Sequence, residues 1–203
     1  GKTRDIGVVQ PSAGDPGGYA DAAAQDAFCA GTYCWITTIY DQSGKGNHLI
    51  QAPRGGFSGP AMGGFNNIPL ADMAPITILG HQAYGVFIEP GMGLRDDDPK
   101  GTAVDDQAEG QYWVVDGHHY NSGCCFDYGN AETDSRDDGN GTMETTYYGN
   151  ATGWYRGTPP GPWIMTDQEN NLVGCVNPDG SRFCSNLPSI TWRFVTAIAK
   201  GEP

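Results

Sequence analysis

Short apolar runs, which clusters of Gly, Pro, Asn and Asp interrupt after a few residues, dominate this chain. Of its 203 residues, 31 are Gly and 14 are Pro, well above ordinary usage. Short runs that turn residues separate in this way are typical of a β-sandwich or a β-barrel. We therefore predict an all-β fold with little helix.

Six runs are candidate strands, and one Ala-rich segment is a candidate helix. The strands are predicted at residues 34–40, 83–89, 111–116, 143–149, 163–167 and 191–199. The helix is predicted at residues 19–28, where high intrinsic propensity supports two turns at most. Two Gly- and Pro-rich stretches, 51–72 and 90–110, are predicted to be surface loops that shape a site.

The charge of the chain limits its partners. It has 24 acidic against 11 basic residues, a formal net charge of −13. This charge repels nucleic acid and anionic membrane surfaces, whereas a neutral ligand such as a sugar is unaffected. No apolar run approaches the roughly 20 residues that span a bilayer. The acidic clusters at 96–98 and 134–138 are interpreted as solvated loops rather than Ca²⁺ sites, so we predict no metal and no cofactor.

Six cysteines indicate an oxidising, extracytoplasmic compartment. We favour the pairs Cys29–Cys34 and Cys175–Cys184, because both close short local segments, which leaves Cys124 to pair with Cys125. The spacing is not that of a zinc site. Two sequons, at Asn140 and Asn150, mark possible glycosylation and fit the same compartment.

The adjacent cysteines are the least common feature of the sequence. Neighbouring Cα atoms lie about 3.8 Å apart, below the usual disulfide range of about 4.4–6.8 Å. A bond between Cys124 and Cys125 therefore needs an unusual backbone, which surrounding structure commonly enforces at a functional site. The alternatives, that each cysteine bridges elsewhere or stays reduced, remain open at this point.

A possible catalytic site lies at the end of the predicted strand 163–167. Asp167 and Glu169 are two residues apart, so their side chains point to the same face of an extended chain. Carboxylates beside Trp163 and Trp154 are what a sugar-cleaving site needs. The carboxylates stabilise the positive charge of an oxocarbenium-like transition state, and the aromatic rings pack on the apolar face of the sugar. The alternative is a solvated strand rim or a turn cap.

Three segments together resemble one enzyme family. They are IYDQSGKGNH at 39–48, YNSGCCFDYGNAE at 120–132 and GPWIMTDQENN at 161–171. In this order they resemble the α-L-arabinofuranosidases of glycoside hydrolase family 54. The resemblance extends from the helical segment near Asp21 to the strand near Phe194.

The resemblance implies a fold, a reaction and residue roles. The fold would be a concanavalin-like β-sandwich of the jelly-roll type, and the reaction a retaining hydrolysis of terminal α-L-arabinofuranosyl groups on arabinoxylan or arabinan. The implied roles are Glu169 as nucleophile, Asp167 and Asn170 as ligands of sugar hydroxyls, Trp154 as an aromatic wall, Cys124–Cys125 as a disulfide platform under the sugar, and Cys29–Cys34 as a structural bridge.

The chain departs from the family pattern in two ways. The family's acid/base Asp is expected downstream of Pro203, and Cys175 and Cys184 have no counterpart in the pattern. We interpret residues 1–203 as part of one catalytic domain, incomplete at both ends and without the family's arabinose-binding β-trefoil. The Cys175–Cys184 bridge is expected to staple the loop after Glu169.

The expected protein is secreted. Its expected partners are an arabinofuranosyl polysaccharide and either the remaining segments of the domain or further copies of itself. The competing hypothesis is a non-catalytic extracellular sandwich that binds sugar or assembles with itself.

Overall fold

One short helix and a series of short strands form the regular structure of this computed structural model, which describes residues 1–57, 63–103, 107–134, 136–137, 143–168, 174–175 and 177–201. The helix α1 is Ala22–Cys29. The strands are β1 Thr38–Ile39, β2 Leu49–Gln51, β3 Gly56–Phe57, β4 Pro75–Ile78, β5 His81–Tyr84, β6 Leu94–Arg95, β7 Glu109–Asp116, β8 Asp127–Asn130, β9 Arg136–Asp137, β10 Glu144–Gly149, β11 Trp163–Gln168 and β12 Phe194–Gly201. The prediction of an all-β chain is confirmed.

The chain divides into two compact units. Unit 1 comprises Gly1–Pro53 and Gly64–Asp96. It contains α1, the antiparallel sheet β1-β2-β6 and the hairpin β4–β5. The hairpin turns at Leu79 and Gly80, whose φ angles of 50° and 86° are both left-handed, as a tight two-residue turn requires.

Unit 2 comprises Arg54–Gly63 and Asp97–Pro203, and it contains the site. Its main sheet is antiparallel, in the order β8-β10-β11, and a two-stranded sheet pairs β7 with β12. Trp113 of β7 stacks on Tyr128 of β8 with ring centroids 5.5 Å apart. The β7–β12 pair therefore packs on one face of the β8-β10-β11 sheet, which gives this unit two β layers.

The central strand β10 is covered on both faces. Residues 145–149 are all buried, and the adjacent Tyr147 and Tyr148 expose 0 % and 2 % of their surface. Because neighbouring side chains of a strand point to opposite faces, these two rings lie in different layers. Tyr147, Ala151, Trp163 and Met165 form the hydrophobic cluster on the face opposite β7.

The strand positions differ from the sequence predictions in detail. The predicted strands at 111–116, 143–149 and 163–167 correspond to β7, β10 and β11. The prediction at 83–89 is wrong beyond residue 84, because the strand there is the return arm of a tight hairpin and begins at His81. Residues 34–40 contribute only β1, and the last strand begins at Phe194 rather than at 191. The two predicted loops contain the short strands β3 and β6.

Candidate active site

The register of the main sheet places two carboxylates on one face. Asp127 of β8 lies opposite Tyr147 of β10, and Asp167 of β11 lies opposite Thr145 of β10. Directly opposed residues share a face, and so do residues two apart along a strand. Asp127 and Asp167 therefore project from the same face. The backbone at Asp167 is also held by the Thr145 hydroxyl, which donates to its carbonyl oxygen at 3.1 Å.

The adjacent cysteines lie beside these carboxylates. Cys124 and Cys125 form a disulfide, and both residues are exposed. The Cys125 sulfur and one carboxylate oxygen from each of Asp127 and Asp167 all lie within 4.8 Å of one another. The structure thus brings together two elements of the site that are 42 residues apart in the sequence, Cys125 and Asp167.

An aromatic wall stands on the same face. Trp154 is half-buried and contacts the ring of Tyr147 edge-on, with centroids 5.4 Å apart. Tyr155 contacts Trp154 in the same way at 5.5 Å. Since Tyr147 lies opposite Asp127 in the ladder, the wall and the carboxylates belong to one surface of unit 2.

Polar contacts fix the base of this wall. The Tyr147 hydroxyl accepts a hydrogen bond from the Ala151 N–H at 2.9 Å, at the start of the segment that leads to Trp154. Burial raises the pKa of Tyr147, and the nearby Asp127 charge adds to the increase. The Trp163 indole N–H donates to the Thr158 carbonyl at 2.8 Å, which anchors the other end of the segment.

The cluster of Cys125, Asp127 and Asp167 does not fit a metal site. Metals bind the thiolate form of cysteine, whereas the Cys125 sulfur is held in a disulfide. In the acidic cluster at 96–98, Asp98 forms an ion pair with Lys100 at 3.8 Å, and both side chains are exposed. Residues 135 and 138 of the second cluster lie outside the described residues.

Several predicted site residues lie outside the described part of the chain. These are Glu169, Asn170 and the sequon residue Asn140. The first two directly follow Gln168, the last residue of β11. At the second sequon, Asn150 is half-buried and its amide donates to the Pro160 carbonyl at 3.4 Å. Glycosylation at both positions stays a prediction.

The structure also forms the other two disulfides. Cys29–Cys34 has a Cα–Cα distance of 5.5 Å and Cys175–Cys184 one of 5.7 Å. Asp127 is a site residue to which the sequence analysis assigns no role. Its signal was available, because Asp127 is two residues beyond Cys125 and so shares its face in an extended segment.

A β-sheet face that combines carboxylates with a Trp is typical of a carbohydrate-active protein. Comparison with known proteins gives the particular family. The family model described as "Alpha-L-arabinofuranosidase B, catalytic" matches residues 1–203, and this chain belongs to that family. The family resemblance inferred from the sequence is confirmed.

Curated relatives agree with the family model. The chain is 59 % identical over 186 residues to an alpha-L-arabinofuranosidase of Hypocrea jecorina, covering 92 % of the chain and 37 % of the relative. It is 55 % identical over 202 residues to a probable alpha-L-arabinofuranosidase B of Aspergillus fumigatus, covering 100 % of the chain and 38 % of the relative. The chain thus spans little more than a third of the length of these relatives.

Solved structures are similar in fold as well. An arabinofuranosidase complexed with arabinofuranosyl-alpha-1,2-xylobiose aligns with a TM-score of 0.79 at 54 % identity, over 90 % of this chain and 37 % of that one. A glycoside hydrolase family 54 arabinofuranosidase soaked with a cyclic sulfate inhibitor aligns with a TM-score of 0.80 at 55 % identity, with the same coverage. The predicted β-sandwich fold is confirmed.

Proposed function

We propose that the protein carrying this chain removes terminal, non-reducing α-L-arabinofuranosyl groups from arabinoxylan- or arabinan-type polysaccharides, with retention of configuration. The supporting observation is that the Cys124–Cys125 disulfide lies beside the Asp167 carboxylate on one sheet face. Asp167 belongs to β11, the strand that directly precedes Glu169 in the sequence. The relatives described above are named as an alpha-L-arabinofuranosidase and a probable alpha-L-arabinofuranosidase B, which supports the arabinofuranoside-cleaving part of the proposal.

The residues divide the work of sugar binding. The disulfide offers a polarisable surface without hydrogen-bonding demand, which suits the C–H-rich face of a furanose ring. Asp167 and Asn170 bind the sugar hydroxyls, and Trp154 forms the wall beside them. Because the sugar is neutral, the chain's net charge of −13 does not oppose its binding.

The chemistry is a double displacement. The Glu169 carboxylate attacks the anomeric carbon while an Asp beyond residue 203 protonates the leaving oxygen. The same Asp then takes a proton from water, which attacks the anomeric carbon and releases Glu169. In a retaining enzyme these two carboxyl groups stand about 5–5.5 Å apart. Asp127 and Asp167 are not assigned either role.

The location of the protein and its domain organisation are also part of this proposal. We infer a secreted protein in which residues 1–203 are part of one catalytic domain, acting without a cofactor. Three disulfides fit an oxidising compartment. Among the residues that the structure describes, no helix has the length and apolar character to cross a bilayer.

The test is an isosteric substitution in the full-length protein. Glu169→Gln removes the nucleophilic charge and keeps the size, so release of nitrophenol from 4-nitrophenyl α-L-arabinofuranoside should fall by about 10³-fold or more. Glu89→Gln is the matched control, since Glu89 is exposed in unit 1, and it should keep wild-type turnover.

Two outcomes would contradict the proposal. Normal turnover by E169Q would remove Glu169 from the mechanism. Arabinofuranoside binding with no turnover in the wild-type protein would instead favour the non-catalytic sugar-binding alternative, which the names of the relatives do not favour.

A further inference from the structure

The Trp154 wall is supported from behind by Tyr155. The Tyr155 and Trp154 rings contact each other edge to face, with centroids 5.5 Å apart, and the guanidinium carbon of Arg182 lies 5.9 Å from the Tyr155 centroid. The backbone of Gly174 lies against the same ring, so closely that an added Cβ would be 2.5 Å from the Tyr155 Cγ. Tyr155 is therefore enclosed by the two ends of one segment, residues 174–184.

Backbone hydrogen bonds fix both ends of this segment. At one end, Gly174 N–H donates to the Thr166 carbonyl at 3.1 Å, next to Asp167 on β11. At the other end, Arg156 N–H donates to the Arg182 carbonyl at 3.0 Å. The Cys184 N–H donates in return to the Arg156 carbonyl at 2.8 Å. The segment thus touches the Asp167 strand and the Trp154 segment at once.

The Cys175–Cys184 disulfide closes this arrangement. It joins the residue after Gly174 to Cys184, whose N–H donates to the Arg156 carbonyl, across a sequence separation of 9. Cys184 is 2 % exposed, so the bridge is seated in the packed part of the unit at that end. The bond therefore couples the strand that carries Asp167 to the segment that carries Trp154.

We propose that Cys175, Cys184 and Tyr155 are positioning residues for the sugar site. The disulfide holds the 174–184 segment around Tyr155, and Tyr155 in turn sets the orientation of the Trp154 ring. This inference rests on the proposed function, in which Trp154 contacts the sugar. It assigns a role in the sugar site to a bridge that the sequence alone predicts only to staple the loop after Glu169.

The main test is the double variant C175S/C184S in the full-length protein. A displaced wall weakens contacts that are equal in the ground state and the transition state, so KM should rise about tenfold while kcat changes less than twofold. C29S/C34S is the matched control, because it also removes a short-range disulfide but in unit 1. It should lower thermal stability and leave KM unchanged.

A spectroscopic measurement separates this inference from the proposed function. W154F defines the part of the near-UV circular dichroism spectrum that arises from Trp154. C175S/C184S should lose most of that signal without any substrate present, and C29S/C34S should keep it. If E169Q disproves the reaction, this comparison still decides whether the disulfide positions Trp154.

Tyr155 variants supply an independent test, also if C175S/C184S fails to fold. Y155A removes the ring and should reproduce the increase in KM and the loss of the Trp154 signal. Y155F keeps the ring and should restore wild-type values for both. The inference is overturned if C175S/C184S or Y155A keeps a wild-type KM and spectrum, or if C29S/C34S raises KM by the same factor.

Discussion

At the scale of single residues, Tyr147 and Tyr148 show how position in a strand decides what a side chain does. Both are buried in β10 and both phenols have a raised pKa, for which burial is the main cause. The Tyr147 hydroxyl accepts the Ala151 N–H on the site face. The Tyr148 hydroxyl, on the opposite face, has no hydrogen-bond partner among the described residues.

Tyr→Phe substitutions should therefore have opposite effects at these neighbouring positions. Y147F leaves the Ala151 N–H without its acceptor, and Ala151 is 3 % exposed. A buried unsatisfied donor costs about 1–3 kcal/mol, so the opening free energy of β10 should fall by that amount. Y148F removes a buried hydroxyl that gains nothing, so the same free energy should stay constant or rise by up to about 1 kcal/mol.

Native-state hydrogen exchange of the β10 amides is the appropriate measurement, because it reports local opening. Y112F is the control, since Tyr112 is 74 % exposed. Equal destabilisation by Y147F and Y148F would show that packing rather than the Ala151 hydrogen bond determines the effect.

At the scale of elements, α1 depends on its N-terminal cap. Asp21 precedes the helix, and its carboxylate accepts the Ala24 N–H at 3.0 Å. The helix has only 8 residues, too few to be stable without such contacts. This cap explains why the helix begins at Ala22 rather than at residue 19, where composition alone places it.

Asp21→Ala should weaken the helix by about 0.5–2 kcal/mol, because it removes the acceptor for an otherwise unpaired N–H. Asp21→Asn keeps a side-chain oxygen at the same place and should retain most of the stability. Hydrogen exchange of the amides of α1 would check both. Unchanged protection in D21A would show that the cap does not maintain the helix.

Elements with side-chain alternation or a continuous apolar run were predictable, and elements that depend on partners were not. β7, β10 and β11 are long enough to carry their own pattern. β8 has the sequence DYGN, which contains no apolar run, and it is a strand because β10 supplies its hydrogen bonds. The candidate site shows the same difference between what is local in the sequence and what depends on partner strands. Resemblance to a family gave the residues, whereas the proximity of Asp127 to Asp167 depends on a register that the sequence does not encode locally.

At the scale of the whole molecule, the three disulfides differ in how far solvent reaches them. Cys124 and Cys125 are both exposed. Cys29 and Cys34 are 8 % and 6 % exposed, whereas the third bridge joins Cys184, which is 2 % exposed, to the half-buried Cys175. Thiol–disulfide exchange requires the attacking thiolate to reach a sulfur atom, so exposure should rank the three bridges under native conditions.

We expect a mild dithiol to reduce Cys124–Cys125 first and the other two bridges later, with Cys29–Cys34 reduced only as the protein opens. Alkylation during a time course, followed by peptide mass spectrometry, would give the order directly. Samples labelled only at Cys124 and Cys125 should show a raised KM for the aryl arabinofuranoside, because two separate thioether groups no longer form the surface under the sugar. Oxidised protein treated with the same alkylating agent is the control. Earlier labelling at Cys29 or Cys184 would contradict the ranking by exposure, and an unchanged KM after selective labelling would remove the disulfide from the sugar site.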